Sequence, residues 1–137
     1  MHTNNNTDKD LICDDFQNQI SKLLIRHKSI LDILSKKNQY NARIDGAITK
    51  SVTKCGCIAI DAKEQKFSGE SYEDIVHNVD THLNGQLCES CSDIVEMEIG
   101  SYLFYLASLC NTLDLNLNDI ISKELDRNKT LGIYSLK

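Results

Sequence analysis

Four of this chain's six cysteines fall in two close pairs, Cys55-x-Cys57 and Cys88-x-x-Cys91, with thirty residues between them. Thiolates are soft ligands. Tetrahedral zinc takes four of them at about 2.3 Å, and two knuckles of this kind are a common way to supply the set. The first pair ends one expected helix and the second opens another, so turning backbone can aim all four sulfurs at one centre. A helix N-terminus also favours the thiolate form at Cys88 and Cys91. The spacing is open to other chemistry as well: reduced thiols without metal, a disulfide, an iron–sulfur cluster, or a redox-sensing couple at Cys88 and Cys91. Cys13 and Cys110 read as small packed hydrophobes.

Acids form the second group. Asp93, Glu96 and Glu98 stand in the first turns of a long apolar segment. The helix dipole favours negative charge there by about 0.3–1 kcal/mol each, which alone accounts for acids at those positions. Among the histidines, His27 lies on an apolar stripe, as a packed core histidine does. His77 and His82 lie near a third helix, and their spacing of five points them to different faces. No Ser/His/Asp ordering, Walker loop or glycine-rich phosphate cradle is present.

The elements that position these groups follow from apolar periodicity. Ile20, Leu23, Leu24, Ile30, Leu31 and Leu34 recur at helical spacing and predict a first helix over about 15–37. A second is expected over 40–54, with Tyr40, Ile44, Ala47, Ile48 and Val52 inward. Ile58-Ala59-Ile60 reads as a short extended piece without a partner strand in view. Ser71 and its following acids open a third helix through Ile75, Val79 and Leu83, ending at Asn84-Gly85. The fourth, about 92–113, carries the broadest apolar face and is expected at the centre, with Leu103 and Leu106 buried. Asn116 caps a fifth.

Composition agrees with a helical reading. The chain has 137 residues, no proline and six glycines, too few turn formers for an all-β architecture. Residues 1–10 read as a disordered tail and 11–137 as one helical domain. The net charge of -5 and the absence of a basic cluster argue against nucleic acid as partner. No apolar run approaches a membrane span, and no signal peptide is seen, so the expected location is cytoplasmic.

The segment Glu98-Ile99-Gly100-Ser101-Tyr102-Leu103-Phe104-Tyr105-Leu106, with the break at Asp114, the new helix at Leu117 and the polar Arg127-Asn128-Lys129 end, resembles the second half of the MazG-like nucleoside triphosphate pyrophosphohydrolases. The resemblance spans about 92–130, is weaker over 15–54, and leaves the cysteine-bearing stretch 55–91 as an irregular insert. It implies an all-α bundle of four to five helices, a homodimer, a nucleotide ligand, and magnesium-dependent release of pyrophosphate. Position by position, Glu98 matches the first acid of the family's Glu-x-x-Asp motif and Ser101 replaces its Asp. Asn128 and Lys129 match nucleotide-facing positions. The family's Glu-Glu-x-x-Glu aligns with Asn41 to Asp45 and keeps Asp45 alone. Magnesium is held through carboxylates and substrate phosphates, so two surviving acids imply weak or lost hydrolysis, with Glu98 and Asp45 as the catalytic candidates. The alternative expectation is a non-catalytic, zinc-braced helical module that dimerises or docks a partner.

Overall fold

The computed structural model describes residues 12–132; the expected N-terminal tail lies outside them. Five helices and one two-stranded sheet are present among the described residues, an all-α fold: α1 (Ile12–Leu23), α2 (Ile30–Lys50), β1 (Ile58–Ile60), α3 (Tyr72–Asn78), β2 (Leu83–Gly85), α4 (Glu89–Thr112) and α5 (Leu117–Leu131). Two compact units are formed. One comprises residues 12–40 and 100–132, the other residues 41–99.

In the first unit, the expected helix over 15–37 is two helices. The apolar spacing runs on across the break, yet α1 ends at Leu23 and the chain restarts at Ser29, whose carbonyl accepts the amide of Ile33 at 2.9 Å. Ser29 with Asp32 in the first turn is a helix-start signal that periodicity alone overlooks. Ile20 and Ile33 are buried here, with Ala107 and Cys110 of α4.

The α4–α5 turn is held by Gln17 of α1. Its amide nitrogen donates to the Asn111 side chain and to the Leu115 carbonyl, both at 3.0 Å, and its oxygen accepts the Leu117 amide at 2.7 Å. Asn111 in turn donates to the Gln17 backbone carbonyl at 2.9 Å. A glutamine only 7% exposed is tolerated because its amide is satisfied at both ends. Asn116 caps α5 as expected, accepting the Asp119 amide. Leu103, expected buried, is 41% exposed, and Leu106 is half-buried. Ile94, Met97 and Ile99 of α4 are also exposed among the described residues.

In the second unit, α2 closes in a π-type turn, Ser51–Cys55, where the Gly56 amide reaches back to the Ser51 carbonyl at 2.9 Å. The strand expected to lack a partner has one. β1 pairs antiparallel with β2 in the register Ile58↔Gly85, Ala59↔Asn84, Ile60↔Leu83. The third helix therefore stops at Asn78 rather than at Asn84-Gly85. Val79 is extended, Gln65 accepts the Asp80 amide at 3.0 Å, and the Asp80 carboxylate accepts the His82 amide at 2.9 Å, so local bonds replace the last expected turn.

Candidate metal centre

All four paired cysteines lie in the second unit, and separate local devices place each pair. Cys55 and Cys57 flank Gly56, which sits at φ 78°, the left-handed conformation that glycine adopts without steric cost. Cys57 then leads into β1, and the hairpin returns through β2 to Cys88, immediately before α4. Cys91 lies in the first turn of α4. Gly85 permits this return. It has φ 86°, and a Cβ there would stand 2.5 Å from the Cys57 carbonyl oxygen.

The result is one cluster. One sulfur from each of Cys55, Cys57, Cys88 and Cys91 lies within 4.8 Å of all the others, and the Cys55 and Cys88 sulfurs are 3.8 Å apart. Four ligands at about 2.3 Å from a tetrahedral ion are separated by ~3.8 Å along each edge. The cluster is already near that size, and all four cysteines are free thiols, well beyond the roughly 2.05 Å of a disulfide. The Cys91 amide donates to the Cys88 sulfur at 3.4 Å, and the Cys57 sulfur lies 3.8 Å from the carbonyl of the buried Ser51.

Proton affinities follow from this crowding. The Cys91 amide and thiol, with Cys55, lower the Cys88 thiol to about 7. At Cys91 the Ser51 contact lowers the pKa, but the Cys88 sulfur, burial and the other two cysteines outweigh it and push the thiol up to about 12. The Cys57 amide lowers Cys55, and its Cys88 neighbour turns the balance upward. One thiolate forms readily and opposes the ionisation of its neighbours. A divalent cation at the centre removes that opposition, since a coordinating thiol is deprotonated by the ion itself.

The acidic candidates are arranged differently. Glu98 is 8% exposed and is paired with Arg43 of α2: one carboxylate oxygen accepts from a terminal guanidinium nitrogen at 3.1 Å. The other, buried, lies 3.1 Å from Nε without hydrogen-bond geometry. Asp45 is exposed in the same unit, and among the described residues neither it nor Glu98 belongs to a group of three or more acids, histidines or cysteines placed to share one ion. Asn128 and Lys129 are exposed on α5, in the other unit. His77 and His82 do not enter the cysteine cluster. Sequence reasoning overlooked Ser51 and read Gly85 as a helix end, whereas it lies in β2 three residues before the second cysteine knuckle, where a glycine marks a special turn.

No family model, curated protein or solved structure matches this chain. No helix among the described residues is long and apolar enough to cross a membrane.

Proposed function

We propose that this chain is a zinc-braced helical module of the MazG-like type in which nucleotide hydrolysis has been lost, acting as a homodimeric binding or docking unit. The observation that carries this reading is the four-sulfur cluster, whose atoms lie within 4.8 Å of one another. Zinc suits it because the donors are soft, number four, and approach tetrahedral spacing with no open position set aside for substrate. The zinc ties the end of α2, the hairpin and the start of α4 together in a unit whose buried apolar side chains are few, Ile58 and Val95 among them. Homodimerisation is supported by the apolar surface of the first unit, where Ile12, Leu103 and Ile121 are all exposed.

Loss of hydrolysis is supported by the Arg43–Glu98 pair. A guanidinium already neutralises the acid that the resemblance assigns to magnesium, and Ser101, Asn41 and Ala42 offer no replacement carboxylate. One observation favours the second reading, a functioning magnesium-dependent pyrophosphohydrolase: the buried Glu98 oxygen without a hydrogen bond is an acceptor a cation would satisfy. A pyrophosphate-release assay across the common nucleoside triphosphates, with magnesium or manganese, separates them. No turnover is expected, and Glu98→Gln leaves that result unchanged. Robust turnover abolished by Glu98→Gln establishes the second reading instead.

A further inference from the structure

The four clustered cysteines are not equally sheltered. Cys55 is exposed, whereas Cys57, Cys88 and Cys91 are half-buried. Structural zinc sites are closed by their ligands, and an exposed thiolate among them is the one a solute reaches first. Cys55 also stands at the end of the π-type turn, followed by Gly56, around which a virtual Cβ meets nothing within 4 Å. That end of the turn has space in which to move. The Cys88 sulfur lies 3.8 Å away, so a shift of one or both side chains brings the two to the roughly 2.05 Å of a disulfide.

A cavity of about 180 Å³ adjoins the same sulfurs, lined by Ala47 and Ile94 as well as by Cys55 and Cys91. It is smaller than the roughly 300–1,000 Å³ of a drug-sized site, and it has room for several molecules of water's size. A small peroxide enters such a space; a peptide disulfide does not.

From the exposed Cys55, its contact with Cys88 and the small cavity beside them, we infer that this cluster is a peroxide-sensitive switch, in which a Cys55–Cys88 disulfide forms and the zinc is released. The inference rests on the zinc reading proposed above. The Cys55 thiolate attacks one oxygen of hydrogen peroxide: an S–O bond forms, the O–O bond breaks and hydroxide leaves, giving a sulfenic acid at Cys55. The Cys88 thiolate then attacks the Cys55 sulfur: an S–S bond forms, the S–O bond breaks and a second hydroxide leaves. Two electrons pass from the two sulfurs to peroxide, and both hydroxides take protons from water. The ion keeps two of its four ligands, Cys57 and Cys91, and is lost. The brace between the end of α2, the hairpin and the start of α4 loosens with it. A dithiol reverses the change by thiol–disulfide exchange, and zinc binds again.

The test treats the zinc-loaded full chain with hydrogen peroxide, follows zinc release with a chromophoric chelator, and maps the cysteines by alkylation and mass spectrometry. One Cys55–Cys88 disulfide is expected per zinc released, with a fall in melting temperature, and dithiothreitol with zinc should restore both. Cys13, half-buried in the other unit, is an internal reference; its oxidation should be slower by about tenfold or more. Ala47→Leu keeps all four ligands and fills part of the cavity, so it should retain zinc and slow its release by peroxide several-fold. Protein purified without zinc overturns the zinc reading and this inference together. With zinc present, the inference alone is overturned if peroxide oxidises Cys13 as fast as Cys55, or if zinc leaves with a disulfide other than Cys55–Cys88. Release at an unchanged rate in Ala47→Leu also overturns it, and so does release that dithiothreitol and zinc do not reverse.

Discussion

Gly85 carries much of the cysteine geometry although it has no side chain. Its positive φ and the 2.5 Å approach of a virtual Cβ to the Cys57 carbonyl mean that any other residue must shift the strand that delivers Cys88. Gly85→Ala should therefore cost on the order of 1–3 kcal/mol of stability and speed zinc loss to a chelator. Gly46→Ala, which meets open space in mid-helix, should do neither. Urea denaturation and a chelator-competition time course read both effects; equal behaviour of the two variants contradicts the role given to Gly85. Residue types disclosed part of this. Two cysteine knuckles are visible in the sequence as a possible ligand set, but their convergence depends on backbone conformations at Gly56 and Gly85 that composition does not reveal. The acids are a contrast. Glu98 is conspicuous in sequence, yet its chemistry is decided by Arg43, 55 positions away.

At the scale of elements, helix type was legible and helix ends were less so. The apolar spacing continues through 24–29, so periodicity predicts one helix where Ser29 and Asp32 start another. β2 was hidden because Leu83-Asn84-Gly85 resembles a helix ending, and its pairing with Ile58–Ile60 is non-local. That hairpin and the two helix termini set the charge environment of the thiols, which gives the centre a pH dependence. In the metal-free protein Cys91 is pushed up to about 12 and Cys88 lies at about 7, so at neutral pH most of the cluster is protonated. Zinc binds thiolates, and the metal-free state therefore holds more protons than the loaded state. Zinc affinity should rise as pH rises from about 6 to about 8, with protons released on loading. Competition titrations against a chromophoric chelator at several pH values measure this directly, and an affinity that is flat or falls across that window contradicts thiolate ligation.

For the whole molecule, the sequence made the all-α class plain through its periodicity and lack of proline, while burial was less legible. Leu103 belongs to an apolar face by pattern and is 41% exposed in the single chain. It lines a wholly apolar groove with Ile12, Phe16, Leu117 and Ile121. In the homodimer proposed above, a second copy of the chain would cover that face. Light scattering at micromolar concentration should give twice the 15.5 kDa chain mass, and Leu103→Lys should shift it toward the monomer; a monomeric mass for the unaltered chain contradicts the dimer. The central claim concerns the cysteines, and metal content tests it most directly. Protein purified without chelator should contain about one zinc per chain by elemental analysis. Each of Cys55→Ser, Cys57→Ser, Cys88→Ser and Cys91→Ser should lower that occupancy and the melting temperature, while Cys13→Ser should leave zinc content unchanged. Protein that folds with no bound metal, or that keeps full zinc occupancy when Cys55 or Cys91 is replaced, contradicts the account.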